Sequence, residues 1–327
     1  MDLELLSHTL GELGEPSYRK QQVWAWLARG AHSYVEMSDL PRSLQAVLEQ
    51  RLPLSTLTLE QEVRAHDGTV KALLRTADGY PVEAVSMRYR DGRRSLCLSS
   101  QSGCPLACTF CATGRMRFAR NLSRDEILDQ ALHFRRAAPA DHAVFMGMGE
   151  PMMNLAAVLG ACELLPALGV TNRRTAISTV GWIPGIERLT ASGVPVRLAL
   201  SLHAPEDALR SALMEVNERY PLAEVLDACR AHHAATRRRV FIEYVMLAGV
   251  NDRYEQALAL ARLLSPREAF KVNLIPYNPT DSLYHGSSRD AIAAFRAALE
   301  SQGVRVTVRL TRGRDIAAAC GQLAAAV

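Results

Sequence analysis

The stretch SQSGCPLACTFCATG, residues 100–114, places Cys104, Cys108 and Cys111 in a C-x3-C-x2-C spacing. Three thiolates supply one ligand too few for a four-iron cluster, whose irons each want a terminal ligand. One iron then stays open to a group that is not protein. Zinc competes for the same soft donors, but zinc sites usually show two paired Cys/His units. The nearest downstream histidine, His133, lies in a helical pattern with no second pair around it. The spacing favours a cluster with an open iron over zinc.

Working outward, 327 residues of which 48% are apolar can bury a large core, as one domain or one with an appendage. The start, MDLELLSHTLGELGEP, carries acids where a signal peptide has a basic region. No apolar run is expected to approach the length of a membrane span. Seven cysteines, an odd number with three clustered, point to a reducing cytoplasm rather than a disulfide framework. A formal net charge of +4 is a mild hint of a polyanionic partner.

Residues 1–52 read as helices, with apolar spacing over Tyr18 to Leu27 and Leu40 to Leu52 and prolines at Pro16 and Pro41 near the starts. From about 53 to 94, Asp67-Gly68, Asp78-Gly79 and Asp91-Gly92 punctuate β-rich runs, a hairpin signal. Beyond that, strand and helix alternate. Strands are expected at 95–100, 143–148, 175–180, 196–202, 240–247 and 271–277, with a further run at 305–310. Helices are expected near 123–137, 154–168, 184–192, 206–234, 252–264 and 288–302. Repeated βα units mean parallel strands, in an open doubly wound sheet or a barrel.

The polar motifs fall at or just after the C-terminal ends of these strands: the cysteines, Gly149-Glu150, Ser178-Thr179, Ser201-Leu202-His203 and Tyr277-Asn278-Pro279. Loops converging at that face form the active site of a (β/α) barrel. Taken singly, Glu150 reads as a helix-start carboxylate, and Ser178, Ser201, His203 and Asn278 as turn or capping residues. Their shared face suggests cofactor binding instead. Cys320, in RGRDIAAACGQL, follows an Arg- and Gly-rich loop where a thiol could be exposed with a lowered pKa. Cys97 lies on the opposite strand face from Leu96 and Leu98, while Cys162 and Cys229 sit on helix patterns and read as structural.

The combination of VEAVSMRY, LCLSSQSGC, CTFCATG, FARNL, FMGMGEP, SLHAP, EYVMLAGVND, NLIPYNP and DIAAACGQL resembles the dual-cysteine radical-SAM RNA methyltransferases over nearly the whole chain. The resemblance is closer to the RlmN branch, which methylates adenine C2, than to the Cfr branch, which methylates C8. It implies an α/β fold: a partial (β/α)6 radical-SAM barrel at 95–327, a helical accessory domain at 1–52 and a β-hairpin extension at 53–94. It also implies a [4Fe-4S] cluster on Cys104, Cys108 and Cys111, and S-adenosylmethionine (SAM), two molecules per turnover. SAM would be held by Gly149, Glu150, Ser178, Ser201, Leu202, His203 and Asn278.

In the implied chemistry, one SAM methylates Cys320 and a second yields a 5′-deoxyadenosyl radical that takes hydrogen from the S-methyl. The resulting carbon radical adds to adenine. Cys97 then attacks the sulfur of Cys320, leaving a disulfide, and Glu83 serves proton transfer. The implied partners are 23S rRNA, tRNA as a candidate second substrate, and an electron donor such as a flavodoxin-type reductant. The expected enzyme is cytoplasmic, monomeric and without a membrane partner.

Arg115, Arg117, Arg120, Arg309, Arg312 and Arg314 should border the mouth and could hold phosphates. Arg135-Arg136 and Arg237-Arg238-Arg239 read as decoration of solvated helix ends. Two departures from the family pattern bear on substrate preference: Arg117 replaces a common glycine, and the chain stops soon after CGQL. Besides the C8 branch, the alternatives are a non-catalytic iron–sulfur RNA-binding protein and a zinc module.

Overall fold

Each Asp-Gly pair turns one strand into the next in the computed structural model, which describes residues 1–324. Strands β1 (Leu57–Arg64), β2 (Val70–Thr76), β3 (Pro81–Arg88) and β4 (Arg94–Cys97) form an antiparallel meander. Gly68, Gly79 and Gly92 hold φ between 82° and 87°, a left-handed conformation that a Cβ disfavours.

Beyond β4 the sheet is parallel, through β5 (His142–Phe145), β6 (Thr175–Thr179), β7 (Arg197–Ser201), β8 (Val240–Met246), β9 (Phe270–Pro276) and β10 (Val306–Val308). These strands follow one another across the sheet in sequence order. A doubly wound sheet reverses direction at a switch point. Without a reversal, right-handed crossovers place all the helices on one face, and the sheet curls into a partial (β/α)6 barrel with β10 as an added parallel strand. β6 is buried along its whole length, as a strand covered on both faces should be.

Helices α1 (Leu3–Glu12), α2 (Tyr18–Arg29) and α3 (Arg42–Arg51) precede the sheet. Their Leu6, Leu27 and Leu48 join one continuous core with the barrel, each burial stabilising by about 2 kcal/mol. The first barrel helix, α4 (Arg124–Ala137), starts at a capping box between Ser123 and Glu126 and ends on Arg135 and Arg136, complementing its dipole at both ends. Arg135 Nε donates to the Ala28 carbonyl at 2.8 Å, joining α4 to α2.

Three expectations need correction. The stretch 206–234 is three helices, α7 (Asp207–Leu213), α8 (Val216–Arg219) and α9 (Leu222–Thr236), following α5 (Leu155–Leu164) and α6 (Ile183–Ser192). Pro221 disfavours helical geometry at Tyr220, so α9 has to start afresh. The stretch 154–168 tightens from α5 into a 3₁₀ turn at Leu165–Leu168, where Pro166 cannot donate a backbone bond. Finally, Pro151–Leu168 is by length and apolarity able to cross a membrane, contrary to the sequence expectation. Here Leu155, Val158, Ala161 and Leu165 are buried in the barrel core.

Candidate active site

Ser99, just beyond β4, is clamped from both sides. Its N–H donates to Gln130 Oε1 at 2.8 Å, and Gln130 Nε2 donates to its carbonyl at 2.9 Å. Its hydroxyl donates to the Glu83 carbonyl and accepts from Met148 N–H. The chain therefore enters the cysteine loop from a fixed point. Gly103 adopts φ 71°, and a Cβ there would overlap the Arg117 backbone carbonyl. Ala112 N–H donates to the Gly321 carbonyl at 2.8 Å and the Thr113 hydroxyl to Leu323 at 2.5 Å. The cysteine loop and the segment carrying Cys320 are thus fastened together.

These loops enclose a cavity of about 1010 Å³, counting the open space at its mouth. Cys104, Cys108 and Cys111 line it from one side. Gly149, Glu150, Ser178, Ser201, His203 and Asn278 line it from the strand ends, and Cys320 borders it from the C-terminal segment. A Cβ on Gly149, at φ 93°, would come within 2.5 Å of Gln101. The Glu150 carboxylate accepts from Met152 and Val180 N–H, both at 2.9 Å, while burial lifts its pKa to about 7. His203 Nδ1 accepts from Val245 N–H at 3.0 Å. Burial, then Arg210, holds the His203 pKa at about 3, so the ring is neutral with its proton on Nε2. Ser178 and Ser201 face each other, their hydroxyl oxygens 3.3 Å apart.

A second pocket of about 540 Å³, open space included, adjoins the first, and Cys320 borders both. Cys97 and Arg309 line the second. Burial, then the neighbouring Cys320, raises the Cys97 thiol to about 12. Cys320 is exposed and borders both pockets; desolvation by the surrounding chain raises its pKa and Arg309 opposes the rise. The expectation of a lowered pKa is corrected, because packing outweighs the arginine. Glu83 is buried rather than an exposed strand residue, and pairs with Lys71 at 2.8 Å. It also accepts from Ala324 N–H at 2.9 Å, but it does not line the main cavity.

Leu202 is not brought to the cavity: its side chain is in the core, and its carbonyl accepts from Ala204 N–H and Arg210. Among the arginines expected at the mouth, Arg120 is consumed by Asp78 and Glu126, Arg312 by Asp67 and the Tyr89 ring, and Arg309 faces Glu243 at 3.5 Å. Arg115, Arg117 and Arg314 are exposed. Sequence reasoning missed Glu243, a buried carboxylate lining the cavity and accepting from Asn273 at 2.8 Å. Its signal was a lone acid in the apolar run VFIEYVM, residues 240–246. It also missed Arg210, fully buried and donating to the carbonyls of Val180, Ser201 and Leu202.

A profile of the Radical SAM superfamily matches residues 98–261. A "Probable dual-specificity RNA methyltransferase RlmN" of Thermus thermophilus is 45% identical, over 98% of this chain and 92% of the relative. A "Dual-specificity RNA methyltransferase RlmN" of Geobacter sulfurreducens is 45% identical, over 98% and 89%. This chain belongs to the RlmN family. The crystal structure of a radical SAM methyltransferase from Sphaerobacter thermophilus superposes with a TM-score of 0.93 at 43% identity, covering 100% of this chain and 98% of the other.

As an RlmN-family radical-SAM enzyme the chain works with a [4Fe-4S] cluster and SAM, and its residues suit both. Three soft thiols share one wall of the cavity, matching a cluster with one open iron. Asn278 Oδ1 is buried without a partner, an acceptor that a polar ligand in the cavity would satisfy.

Proposed function

We propose that this chain methylates C2 of an adenine in 23S rRNA, and in tRNA as well, through a methyl group carried on Cys320. The position of Cys320 carries the reading. It borders the cavity of the three cluster cysteines on one side and the pocket of Cys97 on the other. A carbon held on this sulfur is open to attack from the first, and its sulfur to displacement from the second.

Adenine C2 is an electron-poor carbon, so an ordinary transfer to it as nucleophile fails and the methyl carbon has to be the attacker. When bound, the cluster and SAM supply the methyl group and the 5′-deoxyadenosyl radical that activates it. Cys320 acts as the nucleophile that receives the methyl, with Arg309 favouring its thiolate. Glu150, Ser178, Ser201, His203 and Asn278 orient the cofactor. After carbon–carbon bond formation the ring adduct carries one electron and one proton more than the product needs. A one-electron acceptor takes the electron, and Glu83, its carboxylate held by Lys71, takes the proton from the ring carbon. Cys97, giving up its thiol proton, then attacks Cys320 Sγ: the S–S bond forms as the S–C bond breaks, the electron pair goes to the departing carbon, and that carbon takes up a proton to complete the product methyl group. All seven cysteines are free in this structure. The structure gives no support to the expected disulfide; in this reading it forms only at release.

In this reading residues 1–52 are the accessory domain, 53–94 the hairpin extension and 95–327 the barrel, the last three positions lying outside the described residues. The enzyme acts as a cytoplasmic monomer supplied with electrons by a flavodoxin-type protein. Anaerobically reconstituted enzyme, methyl-labelled SAM and an rRNA fragment provide the test. Label should enter Cys320 first and RNA second, and digestion should yield 2-methyladenosine. Recovery of 8-methyladenosine would move the chain to the C8 branch, and label in RNA with Cys320→Ala would sink the relay.

A further inference from the structure

Arg237, Arg238 and Arg239, expected to decorate a helix end, instead meet cations from three other elements. Arg237 follows α9 and Arg239 precedes β8, Arg197 starts β7, Lys271 lies at the start of β9, and Arg173 lies just before β6. Together they line an open concavity of about 1220 Å³, solvent space included, and Glu268 is the one acid on its wall. Among the described residues none of these six cations is in an ion pair with a carboxylate. Their polar contacts are to backbone: Arg239 donates to the Glu268 carbonyl at 3.1 Å and Arg238 to Val196 at 3.5 Å. Those bonds fix the guanidinium planes and leave the charge uncompensated. Phe241 has both Arg197 and Lys271 5.7 Å from its ring centre, which splays the two cations around a shared apolar post.

The concavity lies at the N-terminal ends of β6 to β9, whereas the cofactor cavity lies at their C-terminal ends. The seven residues of β8 separate the two by about 20 Å. A mononucleotide cannot span that distance, but a folded polyanion can. We propose that this basic concavity is a second RNA-binding surface, gripping the phosphate backbone of the substrate away from the methylated base; this rests on the RNA reading above. RNA fits better than an acidic protein surface because the concavity is broad and open, and its cations are spread over four elements. That spacing matches charge repeated along a backbone.

The test compares wild type with Arg197→Gln/Arg237→Gln/Arg239→Gln, and with the same three positions changed to lysine. Two labelled rRNA fragments serve as probes, a short hairpin around the target adenine and a fragment several times longer. Binding is measured by fluorescence anisotropy across a salt series. For the long fragment the glutamine variant should bind about tenfold or more weakly, and its log K against log salt should flatten by about two to three. KM should rise with kcat unchanged. The short hairpin should be bound and methylated as by wild type, and the lysine variant should restore long-fragment binding. Wild-type affinity and salt slope for the long fragment in the glutamine variant would overturn the second surface. If wild type itself binds neither RNA, the RNA reading fails, and the second surface with it. If the triple variant does not fold, Arg237→Gln alone should flatten the slope by about one, and an unchanged slope there overturns the proposal equally.

Discussion

Asn278 donates its amide nitrogen to the Cys320 carbonyl at 3.1 Å and keeps its amide oxygen buried without a partner. One side chain thus links the reactive segment to the cofactor cavity. Asn278→Ala should weaken SAM binding by about tenfold, the usual scale for one buried acceptor. Equilibrium dialysis of the reconstituted protein checks this, and unchanged affinity would place SAM elsewhere. Cys97 should matter at a later step. Cys97→Ala should still load label onto Cys320 but stall afterwards, accumulating an RNA–protein adduct visible on a denaturing gel; free methylated RNA at the normal rate would refute its role. His232, remote from the site, is buried with Nε2 unpartnered, and burial, then Arg238, holds its pKa at about 4 against the usual 6.5. The unfolded chain takes up this proton near 6.5 and the folded one resists until about 4. Stability is therefore complete above 6.5 and lost as the pH falls through that window. Denaturant unfolding at pH 7.5 and 5 should show wild type losing about 2 kcal/mol more than His232→Gln.

At the level of elements, the ends of strands do most to shape the site, and two buried polar side chains hold them. Gln130 on α4 clamps Ser99 where β4 leads into the cysteine loop. Arg210 on α7 gathers the carbonyls that follow β6 and β7 and reaches Asn217 on α8 at 2.8 Å. Arg210→Met would leave those carbonyls unpaired under a core layer, at a cost of about 3 kcal/mol. The expected outcome is a lower denaturant midpoint and weaker SAM binding together; weakened binding at full stability would make its role purely local. Element type was legible from periodicity and turn chemistry, as the three Asp-Gly turns and the helix expected near 123–137 show. The interruption at Pro221 was written in the sequence too, but a continuous apolar pattern on both sides masked it.

Across the whole molecule, the N-terminal helices share the barrel's core instead of closing one of their own, as Leu6, Leu27 and Leu48 demonstrate. A chain starting at residue 53 would expose the surface they cover. It should precipitate or lose cooperative unfolding, which circular dichroism melting would show; a cooperative melt equal to wild type would mean that the helices are dispensable. The large-scale charge distribution is equally invisible to a residue-by-residue reading. A formal net charge of +4 hides a concentrated basic face at the strand starts, because acids elsewhere cancel it in the total.

By itself, the sequence determined the cysteine triad, the order of strands and helices, and the polar residues at strand ends, because spacing and periodicity are local properties. Only the tertiary structure decided the rest. It set barrel against doubly wound sheet, put Cys320 on the boundary of two pockets, withdrew Leu202 and Arg120, and added Glu243 and Arg210. Each of these depends on which distant segments meet. That is governed by crossover direction and by the pairing of buried charges and carbonyls, which no window of neighbouring residues contains.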